Sequence, residues 1–150
     1  MKEMKVDAIK DGSVIDHLPP GKALEIVKIL KPSPTASILL GTNLVSGKMG
    51  QKDIVKIVNH ELGRDELNTL ALLAPEATLT IIRDYKIYQK SKVELPSQVA
   101  DLFTCPNPNC ITNAEPAASR FHILPGPPRE MRCHYCEKVY KAEEVVEGRV

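Results

Sequence analysis

Four cysteines near the C-terminus have the spacing of a metal site. Cys105 and Cys110 enclose four residues, Cys133 and Cys136 enclose two, and 22 residues separate the two pairs. Two close thiol pairs joined by one long loop are typical of a tetrahedral zinc site, because each pair supplies two corners and the loop brings the pairs together. The sequence contains no other cysteine. The pattern therefore predicts one zinc ion held by these four residues.

Two disulfides, a redox-active Cys-x-x-Cys pair and an iron centre are the alternative interpretations. Disulfides are typical of oxidising compartments, whereas residues 1–7 mix charges and lack the apolar run of a signal peptide. A redox pair would leave Cys105 and Cys110 without a role. A closed shell of four thiolates leaves no position for a catalytic water. The expected role of the zinc is therefore structural, and His122 and His134 are expected to be ordinary loop residues.

The composition argues against nucleic-acid and membrane partners. Twenty Lys and Arg residues nearly balance 19 Asp and Glu residues, the net charge is +1, and Trp is absent. The chain thus lacks both a basic excess for phosphate backbones and platforms for stacking bases. No apolar stretch reaches the roughly 18 residues of a membrane span, so we expect a cytoplasmic protein. A zinc-ribbon protein that binds DNA or RNA is a rival interpretation, which salt-dependent retention would support.

A change in composition near residues 93–99 predicts a domain boundary. Dense apolar patterns precede it, whereas the cysteines and many prolines follow it. We expect one domain at residues 1–96 and a small all-β, zinc-ribbon-like domain at residues 97–150. A segment of about fifty residues forms a marginal core by itself, which is why a metal is expected to stabilise it.

Hydrophobic periodicity in residues 1–96 predicts the order strand, helix, strand, strand, helix, strand, with one further strand. The two helices are expected from Pro19 to about Leu30 and from Asp65 to Ala74. The predicted strands are residues 5–9 with 13–17, 37–45, 53–58, 77–82 and 85–88. This order matches the ferredoxin-like α+β fold. In that fold both helices cover one face of an antiparallel sheet, which leaves the other face available for a ligand.

Strand alternation indicates a polar side of that sheet. Lys52 and Lys56 point the same way, roughly 13 Å apart, and Thr80 lies on a neighbouring strand. Such a face would suit a polyanion, although lysines on an ordinary solvated surface are the alternative interpretation. Asp16 and His17 are adjacent in a strand and are expected to face opposite sides, so they do not form an acid–base pair. The sequence contains no recognised catalytic motif or phosphate-binding glycine loop, and we predict that the protein is not an enzyme.

Four segments carry a resemblance to a known family. They read VDAIKDGSVIDH at residues 6–17, GKMGQKD at 47–53, LLAPEAT at 72–78 and CPNPNCITNAEP at 105–116. Together they resemble the regulatory chain of aspartate carbamoyltransferase, and the resemblance covers nearly the whole chain. The Cys-x4-Cys pair with interleaved Pro and Asn is unusual among zinc ribbons, which makes the combination specific.

The resemblance implies a non-catalytic allosteric subunit of an enzyme of pyrimidine biosynthesis. It implies that the first domain binds CTP as feedback inhibitor and ATP as competing activator, with UTP as a further candidate effector. It also implies homodimers of regulatory chains, paired through residues 38–44, that bridge catalytic trimers in a dodecamer. The zinc domain would attach to the catalytic chain. A nucleotide-sensing adaptor with a different enzyme partner is the second rival interpretation.

The resemblance also implies an effector pocket, residue by residue. Its members are Val6, Asp7, Ile9, Asp16, His17, Lys52, Lys56, Thr80, Ile82, Tyr85, Ile87 and Lys90. Lys56 and Lys90 would contact the triphosphate and ribose, and Asp16 would contact the ribose or base. Lys52 and Lys56 are thus indicated twice, by strand alternation and by the resemblance.

Two residues of the implied pocket depart from the family pattern. Asp7 stands where the family often has Glu, and Thr80 stands where it often has Asn, so the effector preference stays open.

The resemblance places three residues of the zinc domain against the catalytic chain: Asn107, Asn109 and Lys138. Turn formation is the alternative role of the two asparagines, because Asn is favoured in tight turns.

Overall fold

A computed structural model describes residues 8–47 and 50–148 of the chain. Val6 and Asp7, two of the predicted pocket residues, lie outside the described residues. The chain divides into two units, Met1–Glu94 and Leu95–Val150. Each unit has its own β-sheet.

The described residues of the first unit form a five-stranded antiparallel sheet with two helices. Its elements are β1 (Gly12–Leu18), α1 (Ala23–Leu30), β2 (Ile38–Ser46), β3 (Gly50–Val58), α2 (Arg64–Leu73), β4 (Thr78–Arg83) and β5 (Lys86–Lys92). The order across the sheet is β2-β3-β1-β4-β5. The elements from β1 to β4 follow the ferredoxin-like arrangement, and β5 is added at one edge. The predicted α+β fold is therefore confirmed.

Some boundaries differ from the sequence-based expectation. Ile9, expected in a strand, lies in a non-strand segment before β1. Helix α1 begins at Ala23 rather than at Pro19, because the Lys22 N–H donates to the Pro19 carbonyl in a turn that precedes the helix. Strand β5 continues to Lys92 because it stays paired with β4 over its whole length.

Both helices pack on the same face of the sheet. Ile26 of α1 and Leu70 of α2 share a buried core with Val55 and Ile57 of β3. The two β3 residues thus face the helices, as strand alternation predicted. Residues of opposite parity, such as Lys56, are left for the other face, which is called the open face below.

A buried aspartate near the start of β3 connects three elements. Asp53 is fully buried, and its two carboxylate oxygens accept hydrogen bonds from the backbone N–H groups of Ala23 at 2.9 Å and Asn43 at 2.8 Å. Ala23 is the first residue of α1, where N–H groups lack partners within the helix and negative charge is favourable. Asn43 lies in an irregular part of β2 with a φ of 56°. Asp53 therefore fixes both the start of α1 and the local shape of β2.

Replacing Asp53 with alanine is expected to lower the free energy of unfolding of the first unit by about 3 kcal/mol. The substitution removes two hydrogen bonds to a charged acceptor and leaves buried N–H groups without a partner. Urea denaturation of the zinc-loaded chain, followed through amide signals of the first unit, measures this loss. The matched control is Asp65→Ala, which removes an exposed carboxylate from the first turn of α2 and should cost at most about 1 kcal/mol. Equal losses would contradict the assigned role.

In the second unit, the residues up to 148 form a four-stranded antiparallel sheet with two very short helices. Its elements are β6 (Gln98–Ala100), α3 (Ile111–Ala114), β7 (Arg120–Leu124), β8 (Glu130–Cys133), β9 (Val139–Lys141) and α4 (Ala142–Val146). The strand order is β6-β7-β8-β9. Phe121, Met131 and Val145 are its largest fully buried apolar side chains. So small a core agrees with the predicted β-rich domain that a metal stabilises.

Candidate metal centre and effector face

The four cysteines are brought together by two turns of the second unit. Cys105 and Cys110 lie in the segment between β6 and α3, whereas Cys133 ends β8 and Cys136 lies in the turn before β9. The Cys110 N–H donates to the Asn107 carbonyl at 3.0 Å, which closes the first turn. Three of the cysteines are buried and Cys136 is partly exposed. The site therefore lies just beneath the surface of the unit.

The sulfur atoms have tetrahedral spacing. Cys105 Sγ lies 3.8 Å from Cys136 Sγ, Cys110 Sγ lies 3.7 Å from Cys133 Sγ, and all four lie within 4.8 Å of one another. Thiolates about 2.3 Å from a zinc ion at tetrahedral corners are roughly 3.8 Å apart. A disulfide requires an S–S distance of roughly 2.05 Å, and all four cysteines are free. The residues therefore fit one zinc ion, and the disulfide interpretation is rejected.

Neighbouring polar residues support these ligands. Burial raises the pKa of the Cys110 thiol. Hydrogen bonds from the Thr112 hydroxyl, 3.1 Å away, and from the Thr112 backbone, together with those from Cys133 and Cys105, outweigh burial and lower that pKa to about 7. The Asn113 amide donates to the carbonyls of Cys105 at 2.9 Å and Asn107 at 2.7 Å. Sequence reasoning missed Thr112 and Asn113. Their position directly after a ligand, at the start of a helix, was the available signal.

The residues predicted to contact a catalytic chain surround this site. Asn107 is only 7% exposed, and its side-chain oxygen accepts a hydrogen bond from the Asn109 N–H at 3.0 Å. Asn109 and Lys138 are exposed. Asn107 therefore shapes the loop, while Asn109 and Lys138 present their side chains at the surface.

One row of paired residues crosses the open face of the first unit. Lys56 pairs with Val14, Val14 with Thr80, and Thr80 with Lys90. Directly opposed residues in an antiparallel sheet point to the same face. Lys56 and Thr80 are each 9% exposed, whereas Lys90 is exposed. Two ammonium groups and a hydroxyl thus share one face, with the lysine Cα atoms roughly 14 Å apart, or three strand spacings.

Asp16 and Lys52 form an ion pair at one corner of the open face. Lys52 Nζ lies 2.9 Å from Asp16 Oδ1 and 3.1 Å from Oδ2. Burial raises the pKa of Asp16, but hydrogen bonds from Lys52 and from the His17 N–H, together with the charge of Lys52, outweigh burial and hold that pKa below its ordinary value. The corner therefore presents an ionised carboxylate and an ammonium group in a fixed arrangement.

His17 lies on the same side of the sheet as Asp16, so the prediction that they face opposite sides is wrong. The backbone of His17 has a φ of 58° and lies where the pairing of β1 with β3 is irregular. Simple alternation fails at such a position. His17 Nδ1 lies 3.1 Å from Thr78 Oγ1, and Thr78 pairs directly with Asp16. Thr78 is thus a further residue of this face, which the pairing of β1 with β4 identifies.

The remaining predicted pocket residues lie mostly around the β4–β5 hairpin. Ile82 pairs with Ile87, and Ile87 and Tyr85 are 63% and 67% exposed. The Tyr85 N–H donates to the Lys10 carbonyl at 2.8 Å, which ties the hairpin turn to the segment before β1. Ile9, in that segment, is 7% exposed. Its side chain therefore contributes to packing rather than to the surface.

The ion pair at the corner of the open face predicts a depressed titration midpoint for Asp16. The midpoint of its carboxyl carbon signal in NMR is expected to lie below the roughly 3.9 of an unperturbed aspartate. Since the folded-state pKa is lowered, the stabilisation from this group is present above the unfolded-state pKa and is lost as the pH falls through the folded-state value. Lys52→Met should move the midpoint upward, whereas Lys28→Met, an exposed control on α1, should not. An unchanged midpoint in Lys52→Met would show that the ion pair is absent.

Two sequence profiles match the two units separately. The profile described as "Aspartate carbamoyltransferase regulatory chain, allosteric domain" matches residues 4–94, and the one described as "Aspartate carbamoyltransferase regulatory chain, metal binding domain" matches residues 97–146. The chain belongs to the family of aspartate carbamoyltransferase regulatory chains. The resemblance found in its sequence is therefore confirmed.

Relatives named aspartate carbamoyltransferase regulatory chain are similar to this chain over nearly its whole length. The one from Pyrococcus horikoshii is 47% identical and the one from Pyrococcus abyssi 46% identical, each over 149 residues that cover 97% of this chain and 98% of the relative. The one from Methanothermobacter thermautotrophicus is 43% identical over 145 residues, or 95% of this chain and 93% of the relative. As a regulatory chain, the protein is a non-catalytic subunit, which agrees with the prediction.

Membership of the regulatory-chain family also bears on the metal. The metal-binding profile spans all four cysteines, and their sulfur atoms have the spacing that one zinc ion requires. The predicted structural zinc is therefore confirmed. Among the described residues, no helix is both long and apolar enough to cross a membrane.

Proposed function

We propose that this regulatory chain binds nucleotides of the CTP and ATP type on the open face of its first unit and joins catalytic trimers through its zinc unit. The observation that carries the proposal is the row of Lys56, Thr80 and Lys90 beside the Asp16–Lys52 pair on one sheet face. These groups have the charges and hydrogen-bonding types that a nucleoside triphosphate requires.

The lysines of the open face supply the phosphate contacts. The ammonium groups of Lys56 and Lys90 donate hydrogen bonds and accept none. Charge-assisted hydrogen bonds to phosphate oxygens are roughly twice as strong as hydrogen bonds between neutral groups. Lys56 is 9% exposed, so an anion bound to it is largely shielded from water. Hydrogen bonds are electrostatically stronger where the local dielectric is low. Lys56 is therefore expected to contribute more to affinity than an exposed lysine.

The rest of the open face suits the ribose and base. Asp16 only accepts hydrogen bonds, whereas the Thr80 hydroxyl both donates and accepts, so the two complement ribose hydroxyls and base edges. Ile87, paired with Ile82, adds exposed apolar area to this face for the flat side of a base, and exposed Tyr85 lies in the adjoining hairpin turn. CTP, ATP and UTP share the triphosphate and ribose. The departures at Thr80 and Asp7 therefore bear on the choice between bases rather than on nucleotide binding itself.

The edge strand β2 offers a surface for pairing two regulatory chains. It is the outer neighbour of β3, and Leu39 and Leu40 are 41% and 42% exposed. An edge strand with free backbone groups and exposed leucines is favourable for pairing with another chain. A homodimer formed through β2 carries two zinc units, each able to contact one catalytic chain. Such a dimer would bridge two catalytic trimers.

Assembly with catalytic trimers tests the scaffold half of the proposal. The zinc-loaded chain is mixed with catalytic trimers of the same source, and the masses of the complexes are measured by light scattering. We expect species larger than the trimer, and we expect the double variant Asn109→Ala, Lys138→Ala to shift the equilibrium toward free trimers. Lys92→Ala, in the exposed strand β5, is the matched surface control. Trimers that stay free in the presence of folded, zinc-loaded chain would contradict the proposal.

A further inference from the structure

Two irregularities in the sheet lie opposite adjacent residues of β3, Ile54 and Asp53. Between β1 and β3, the pairing moves from Ile15 with Val55 to Leu18 with Asp53, so β1 carries one extra residue. Between β2 and β3, the pairing moves from Gly41 with Ile54 to Leu44 with Lys52, so β2 carries one extra residue as well. Each is a β-bulge. Strand β3 is therefore held between two bulges at one level of the sheet.

Each bulge contains one residue whose backbone is in the left-handed region. The β1 bulge contains Asp16 and His17, and His17 has a φ of 58°. The β2 bulge contains Thr42 and Asn43, and Asn43 has a φ of 56°. The first bulge thus carries side chains of the open face, whereas the second lies in the edge strand proposed for pairing.

Adjacent residues of β3 reach the two bulges from opposite faces. Lys52 points to the open face, where it pairs with Asp16 at 2.9 Å. Asp53 points to the helix face, where it accepts the Asn43 N–H at 2.8 Å and the Ala23 N–H at 2.9 Å. Lys52, on the ligand side, and Asp53, which holds β2 through Asn43, are joined by one peptide bond. Any shift of the Lys52 backbone on anion binding is therefore passed to Asp53 through that one peptide bond.

Burial restrains the Asp53 side chain and its two hydrogen bonds. The carboxylate is fully buried, and both of its oxygens already accept backbone N–H groups, so it cannot exchange either partner for water at low cost. When its backbone moves, the carboxylate either carries the Asn43 segment with it or loses a hydrogen bond. The adaptable element is the bulge, because a strand bends most easily there.

We propose that Asp53 is a positioning residue that couples the nucleotide side of the sheet to the β2 edge through these two bulges. The inference rests on the proposed function, since it takes a nucleotide as the ligand of the open face. It adds a specific route: occupancy at the Asp16–Lys52 corner changes the shape of β2 at Thr42–Asn43. Nucleotide binding and pairing of two regulatory chains are then linked, and the linkage acts in both directions.

Amide NMR of the zinc-loaded, 15N-labelled chain tests the coupling with CTP as the probe. In the wild type, the Lys52 and Asn43 amide signals are expected to shift with the same concentration dependence. In Asp53→Ala the Lys52 signal should still respond to CTP, whereas the response of Asn43 should be lost. The matched control is Ser13→Ala. Ser13 is also fully buried and makes two hydrogen bonds, to the His60 carbonyl and from the Leu62 N–H, but neither involves β2.

Each outcome decides a separate point. A shift of Lys52 without one of Asn43 in the wild type overturns the coupling alone, whether or not the variants fold. An Asn43 response that persists in Asp53→Ala, or that is lost equally in Ser13→Ala, assigns the effect to something other than Asp53 and also overturns it. Absence of any saturable response at Lys52 removes the proposed nucleotide site, and the coupling with it.

Discussion

Replacing Cys110 with serine is expected to unfold the second unit at 25 °C and to abolish attachment to catalytic trimers. Structural zinc contributes apparent free energies of about 10–16 kcal/mol in small zinc-dependent domains, which is comparable to the roughly 5–15 kcal/mol total stability of a typical domain. The apolar core around Phe121, Met131 and Val145 is too small to compensate. The measurements are bound zinc per chain and the dispersion of amide signals from residues 98–146.

A graded control separates loss of the metal from a local disturbance. Thr112→Val removes the hydroxyl 3.1 Å from Cys110 Sγ but leaves all four thiolates in place. This variant should keep one zinc per chain and a dispersed spectrum, with a modest loss of stability of about 1 kcal/mol. Removing zinc from the wild type with a strong chelator should reproduce the effect of Cys110→Ser. A second unit that stays folded and attached to trimers after complete removal of zinc would overturn the structural role of the metal.

Lys56→Met is expected to weaken CTP binding roughly 10- to 150-fold. A hydrogen bond involving a charged group is worth about 1.5–3 kcal/mol, and this range converts to that factor. Methionine keeps most of the length of the lysine side chain and suits a position that is 9% exposed, so the fold should survive. The affinity is measured by calorimetric titration of the zinc-loaded chain. We also expect the remaining affinity to depend less on salt, because one phosphate contact is lost.

The control for Lys56 removes the same charge from the opposite side of the first unit. Lys28 is exposed on helix α1, which covers the face that does not carry the row of lysines. Lys28→Met therefore changes the net charge equally but should alter the affinity less than about twofold, an effect of long-range electrostatics alone. Equal weakening in the two variants would mean that net charge, and not the open face, accounts for nucleotide binding.

The four metal ligands were predictable because their chemistry is contained in residue type and spacing. Four thiols in two close pairs allow few arrangements. A tetrahedral zinc site is the one that gives all four thiols a role. Thr112 and Asn113 were missed because their roles depend on the direction in which α3 leaves Cys110. Local sequence does not specify that direction.

The open face was predictable only where the strands are regular. Period-two alternation was sufficient to assign Lys52, Lys56 and Thr80 to it, and strand pairing in the structure places Lys90 in the same row as Lys56 and Thr80. Alternation failed at His17, because the bulge there depends on the register of β1 against β3 and not on the residues of β1 alone. The role of Asp53 was equally hidden, since its hydrogen-bond partners are 30 and 10 residues away in the chain.

Calorimetric titration of the zinc-loaded wild-type chain with CTP tests the central claim most directly, because that claim is a nucleotide site on the open face of a regulatory chain. We expect saturable binding with one site per chain, and competition between CTP and ATP for that site. If the folded, zinc-loaded chain shows no saturable binding, either alone or assembled with catalytic trimers, the open face is not an effector site.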